Sequence, residues 1–211
     1  MREFPKTYFD NLTSQLQSIK IADQTGKSLE FFQGLETVAQ LIVEQTRSGK
    51  KLIFIGNGAS ASIASHMSTD YWKNGGMRAI AFNDSSLLTC ISNDYGYEHV
   101  FEKPIEMFAD EGDILMAISS SGKSENIFRA AKAARAKKCS VITFSGFAPD
   151  NPLSQLGDFN FYVASPEYGP VEIIHLSICH CICDTIVQTK QPCPLQTRHL
   201  ADPSSRSSEL E

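Results

Sequence analysis

No run of Lys or Arg occurs anywhere in the 211 residues, and the formal net charge is −5. A protein that follows a phosphate backbone needs a basic face, so nucleic acid is not expected as a partner. Nor does any apolar run approach the roughly 20 residues of a bilayer span, so no membrane segment is expected. The N-terminal MREFPKTYFDNL lacks the apolar core of a signal peptide, and a cytoplasmic location is the expectation. The nucleotide-binding spacing Gly-x4-Gly-Lys-Ser/Thr is missing, which disfavours nucleotide hydrolysis. Cysteine is present, but its spacing does not suit a metal. Of Cys90, Cys139, Cys179, Cys181, Cys183 and Cys193, three form a C-x-C-x-C run in an apolar, helix-like segment. Residues two apart on a helix point about 200° apart, a poor chelate. They read as small buried hydrophobes of a reducing compartment.

What is present centres on residues 50–72, KKLIFIGNGASASIASHMSTDYW. Residues 52–55 are apolar without a break and run into Gly-x-Gly, as a strand covered on both faces would. Gly56 and Gly58 let backbone amides approach a ligand, and a helix opening near Ser60 favours an anion at its N-terminus. Ser62, His66 and Asp70 are spaced by four and share one helix face. An anion cradle and a His/Asp pair thus fall within one helix.

Before this stretch, residues 5–26 and 28–48 both carry apolar residues at helical spacing. Two amphipathic helices are expected there, either capping the sheet or burying Tyr8, Phe9, Phe31 and Phe32 against another subunit. After it, strands are expected at residues 77–82, 112–118, 140–144 and 160–163, with Asn93 and Asp94 in a loop and a long apolar helix over 171–189 carrying Glu172, His175 and His180. Alternating strands and helices imply a parallel sheet with right-handed crossovers. The expected organisation is a helical N-terminal part over 1–49, an α/β domain over 50–190, and a polar Pro- and Ser-rich tail over 191–211.

The second informative junction is SSSGKSEN, after the 112–118 strand. Ser119, Ser120, Ser121 and Ser124 surround Gly122, and Ser124 suits an N-cap. Hydroxyls and free amides at a helix N-terminus make a phosphate cradle that needs no metal. Both cradles follow strand C-termini, where ligands of open α/β sheets bind.

These motifs, GNGAS, the Asn93–Asp94 pair, SSSGKS and the Glu172…His180 helix, resemble those of sugar isomerase (SIS) domains, and among them the phosphoheptose isomerases. The resemblance implies a three-layer sandwich with a five-stranded parallel sheet in flavodoxin-like order, behind an N-terminal helical extension, assembled as a homotetramer. It implies Ser119, Ser121 and Ser124 on the phosphate, Ser60 closing the cradle, and Asn57 and Asp94 on sugar hydroxyls. Asp70 matches the family's catalytic glutamate and His180 its partner. His66, Asp70, Glu172 and His180 match the ligands of a divalent metal, zinc in some members. Two departures stand out. Asp70 is one methylene shorter than the family's glutamate, by roughly 1.5 Å, and Glu172 replaces a glutamine with an anionic oxygen. The implied activity is aldose–ketose isomerisation of a phosphorylated sugar through an enediol, sedoheptulose 7-phosphate giving D-glycero-D-manno-heptose 7-phosphate. The alternative is a non-catalytic SIS protein that binds a sugar phosphate or a protein partner, as replication-initiator-associating relatives do.

Overall fold

The structure, a computed structural model, describes residues 3–190; the 191–211 tail lies outside the described residues. Its elements run α1 (Glu3–Leu16), β1 (Lys20–Asp23), β2 (Ser28–Leu29), α2 (Phe31–Arg47), β3 (Leu52–Gly56), α3 (Ala59–Lys73), β4 (Ala79–Ala81) and α4 (Ser85–Tyr95). Then come α5 (Glu102–Phe108), β5 (Ile114–Ser119), α6 (Glu125–Ala136), β6 (Ser140–Gly146), β7 (Phe159–Val163) and α7 (Tyr168–Lys190). The sheet order is β2-β1-β7-β6-β5-β3-β4. From β7 to β4 every pairing is parallel. Those five strands are the expected parallel sheet, in the order 2-1-3-4-5 that places a topological switch between β3 and β5.

Side chains alternate across the sheet and divide the core into two layers. Leu52, Phe54, Met116, Ile142 and Phe144 face α2, α3 and α7. Ile53, Ile55, Leu115, Ala117 and Val141 face the other way, onto α5 and α6. Strands β3 and β5 are buried along their whole length, which is why their sequences are apolar without alternation.

Residues 20–29 depart from the helix expected over 5–26. They form an antiparallel hairpin whose inner strand pairs with β7. The Asp-Gln-Thr-Gly turn explains it. Asp23 Oδ1 accepts hydrogen bonds from Thr25 N (2.8 Å), Thr25 Oγ1 (2.6 Å) and Lys27 N (3.1 Å), and Gly26 takes φ +81°. These local bonds compete with helix continuation, and Ile21 is buried in the sheet layer as a result. α2 caps the same subunit. Its stripe of Leu35, Val38, Ala39 and Ile42 is buried in the layer shared with α7, while Phe9 and Phe32 remain exposed.

Asn93 and Asp94 also depart from expectation. They lie in the last turn of α4, which opens on the Asp84 cap (Oδ1 to Leu87 N, 3.0 Å) and ends only at Gly96, φ +99°. α7 is long and apolar enough to cross a membrane by length and composition. Half of that span is buried within the fold, where Ile174, Ile178, Ile182 and Ile186 pack into the core.

Candidate active site

The loops after β3 and β5 meet at the switch point and enclose a cleft of about 230 Å³. Asn57, Gly58, Ala59 and Ser60 line it from the first loop, Ser119, Ser120, Ser121 and Ser124 from the second, and Tyr168 and Glu172 from α7. Two glycines make the loops possible. Gly58 takes φ +56° at the start of α3, and Gly122 takes φ +62° where any Cβ would run into the Asn151 side chain. Inside the second loop Ser119 Oγ accepts from Gly122 N (3.2 Å) and Ser121 Oγ from Lys123 N (3.2 Å). Ser124 holds the N-cap position of α6 but makes no capping bond, which leaves its hydroxyl facing Ser119 Oγ at 3.4 Å. Ser120 Oγ is buried and has no partner among the described residues. A buried hydroxyl without a partner is costly, and an anion in the cleft would satisfy it. The arrangement suits a phosphate at two helix N-termini, α3 and α6.

The second cluster lies further along α3 and α7. His66 Nε2 is 3.4 Å and His180 Nδ1 is 3.7 Å from Asp70 Oδ2, and the two rings stand edge to face with centroids 5.2 Å apart. One donor atom from each of the three lies within 4.8 Å of the others. Four ligands at 2.0–2.1 Å round a tetrahedral ion lie about 3.3–3.4 Å apart, so the two measured separations are close to tetrahedral edges. The donor set, two imidazole nitrogens and a carboxylate oxygen, suits zinc or another borderline divalent ion. Glu172 is not part of this group. It sits eight residues before His180, about 12 Å of helix rise, and lines the phosphate-side cleft instead. Within one subunit, the expected fourth ligand Glu172 thus stands apart from His66, Asp70 and His180.

The remaining expectations divide. Asn57, Gly58 and Ser60 lie where the motif put them. Asn93 and Asp94 are exposed and lie outside the cleft: Asn93 Nδ2 donates to Asp94 Oδ1 (2.9 Å), and Asp94 Oδ2 lies 3.7 Å from Cys90 Sγ. The residue of this region that does reach the site is Tyr97, whose hydroxyl donates to Asn57 Oδ1 at 3.0 Å. Sequence reasoning missed it, and missed Asn126 and Tyr168 as well. His175 is wholly buried, its Nε2 3.2 Å from the Ser145 carbonyl, and burial pushes its pKa down to about 4, so it is a neutral core residue. Cys179 and Cys183, four apart, are buried together, whereas Cys181 on the opposite face is exposed. Burial raises the Cys179 thiol far above its ordinary range and leaves it inert.

The SIS domain family profile matches residues 8–146, about two thirds of the chain. The chain belongs to the SIS domain family. Within that family its curated relatives include the phosphoheptose isomerase of Helicobacter hepaticus, 35% identical over 158 residues that cover 72% of this chain and 80% of the relative. The phosphoheptose isomerase of a Bradyrhizobium species is 38% identical over 155 residues, 71% of this chain and 78% of the relative. Among solved structures, the phosphoheptose isomerase of Neisseria gonorrhoeae superposes with a TM-score of 0.78 at 28% identity, covering 89% of this chain and 98% of that one. This SIS protein is thus a phosphoheptose isomerase-like enzyme, and its parallel sheet with helices on both faces is the fold of that structure.

Proposed function

We propose that this sugar-phosphate isomerase interconverts sedoheptulose 7-phosphate and D-glycero-D-manno-heptose 7-phosphate through an enediol. The observation that supports the reading is that one helix, α3, carries both a wall of the phosphate cradle at Ser60 and two members of the His/Asp cluster, His66 and Asp70. Ser60 and His66 on α3 are six residues apart, about 9 Å of rise. A seven-carbon chain in extended form spans roughly 8 Å. A ligand anchored by phosphate at Ser60, Ser119, Ser121 and Ser124 therefore brings its far end, where the carbonyl lies, to His66, Asp70 and His180.

The serines bind and orient and take no part in bond changes. Asn57 and Glu172 line the same cleft as the cradle serines and would meet the sugar hydroxyls. Asp70 or His180 removes the proton from the carbon beside the carbonyl and returns it to the neighbouring carbon, while the other group moves a proton between the two oxygens. His66, Asp70 and His180 would hold a divalent ion, zinc by donor type, whose chemistry when bound is Lewis-acid polarisation of the carbonyl. A cytoplasmic homotetramer completes the reading, with the exposed Phe9 and Phe32 as anchors between subunits.

Incubation of the purified protein with sedoheptulose 7-phosphate, with and without added zinc, tests the proposal by the appearance of an aldose 7-phosphate in the proton NMR spectrum. Binding without product under any divalent metal would instead favour a non-catalytic sugar-phosphate receptor.

A further inference from the structure

Asn57 and Asn126 are joined by two reciprocal hydrogen bonds across the switch point. Asn57 Nδ2 donates to Asn126 Oδ1 at 2.9 Å, and Asn126 Nδ2 donates to Asn57 Oδ1 at 2.9 Å. The pair links the loop after β3 to the first turn of α6, 69 residues apart. Its polarity is fixed from outside. The backbone N–H of Ile127 points at the Asn126 carboxamide at 3.0 Å, and a backbone N–H can only donate, so the atom it meets is oxygen. That sets the orientation of Asn126, and with it the orientation of Asn57. The Tyr97 hydroxyl then donates to the same Asn57 oxygen at 3.0 Å. Asn126 is buried, at 3% exposure, whereas Asn57 is partly exposed and lines the cleft.

Counting donors and acceptors gives the consequence. A carboxamide offers two N–H donors and an oxygen with two lone pairs. The Asn57 oxygen already accepts from both Asn126 and Tyr97, so neither lone pair is left. One Asn57 N–H is engaged by Asn126, and the other has no partner among the described residues. We infer that Asn126 and Tyr97 are positioning residues that lock the Asn57 carboxamide, so that the ligand meets it as a hydrogen-bond donor only. The group it meets must then be an acceptor oxygen, a carbonyl or hydroxyl oxygen of the sugar. This inference rests on the reading of the cleft as a sugar-phosphate site for its ligand, but not for the lock itself.

The test has two arms. In the ligand-free protein, the Asn57 side-chain amide proton bonded to Asn126, assigned in 15N-labelled material, is expected to exchange more slowly than its geminal partner and to lose that protection in Asn126→Ala. In the second arm, a double-mutant cycle measures kcat/KM for sedoheptulose 7-phosphate. Asn126→Ala and Asn57→Ala are each expected to lower it about tenfold, the weight of one hydrogen bond, and the double variant is expected to be no worse than Asn57→Ala alone. Inorganic phosphate affinity stays unchanged in all three. Tyr97→Phe removes one hydroxyl from an exposed ring and serves if Asn126→Ala fails to fold; its several-fold loss must likewise vanish in the Asn57→Ala background. Additive losses, or Asn57 amide protons unaffected by Asn126→Ala, overturn the inference. If the wild type neither binds nor turns over the sugar phosphate while the first arm holds, the substrate reading fails and the lock stands.

Discussion

The Tyr71 hydroxyl donates to the main-chain carbonyl of Cys179 at 3.2 Å, deep between α3 and α7. Each partner is the sequence neighbour of a site residue: Asp70 precedes Tyr71, and His180 follows Cys179. The bond therefore sets the relative height of the two helices at the point where Asp70 Oδ2 and His180 Nδ1 approach to 3.7 Å. Tyr71 is fully buried and stacked edge-on against Phe54, so its hydroxyl has no water to turn to, and burial holds its pKa well above the usual phenol range.

Tyr71→Phe keeps the ring and deletes the bond. The variant should lose about 1 kcal/mol of stability and weaken zinc binding several-fold. Isothermal titration with zinc, alongside urea denaturation, checks both; zinc affinity equal to wild type would show that the helices hold their height without this bond.

His180→Ala should reduce turnover of the sugar phosphate by at least about 100-fold, as loss of a general acid–base does. Phosphate-sugar binding should survive, because the cradle serines Ser60, Ser119, Ser121 and Ser124 stand on α3 and on the loop before α6, and His180 does not line that cleft. Calorimetric binding beside an NMR rate measurement separates the two, and an equal loss of both would count against the assignment. The same variant should bind zinc at least tenfold more weakly, since one of three donors is gone.

Ser120→Ala should move stability and affinity in opposite directions. The wild-type hydroxyl is buried without a partner among the described residues, so its removal should leave the ligand-free protein as stable or about 1 kcal/mol more stable. Inorganic phosphate should then protect the variant less against thermal unfolding than it protects wild type. A variant that is both less stable and fully phosphate-responsive would mean that the hydroxyl has an internal partner.

The His175 pKa of about 4 makes stability depend on pH, because the same group in the unfolded chain titrates near its ordinary 6.5. Between these values the unfolded state binds the extra proton. The contribution is therefore fully present above 6.5 and is lost as pH falls from 6.5 to about 4, by about 3 kcal/mol in total. The ring meets Phe144 edge-on and the Ser145 carbonyl. Urea titrations from pH 4.5 to 7.5 should show a shallower slope in His175→Phe than in wild type. Parallel curves would assign the acid sensitivity elsewhere.

The parallel sheet was legible because its strands are buried on both faces, and an unbroken Leu52–Ile55 or Ile114–Ile118 has few other readings. The cradle was legible for the same reason in reverse: glycines and serines placed directly after such runs have no packing role to explain them. Ile19 and Ile21 misled because their spacing with Leu12 and Leu16 continues a helical stripe. Only the Asp23 side chain, bonding three groups of its own turn, diverts the chain into a hairpin. Asn93 and Asp94 read as loop residues because both favour turns, but α4 has its signal at Asp84 and its stop at Gly96. Asn126 was invisible as part of the site, because its role depends on a partner 69 residues away.

The short hairpin has a consequence for how copies of this chain can associate. It covers the β7 edge, and its own outer strand, β2, is only two residues long. At the opposite edge β4 offers three residues, with Ile80 exposed. Neither border presents a ladder of free amides and carbonyls long enough to recruit an extended segment of another molecule, which is the usual route to fibrils and amorphous aggregates. Association between copies is thereby left to surfaces other than strand edges.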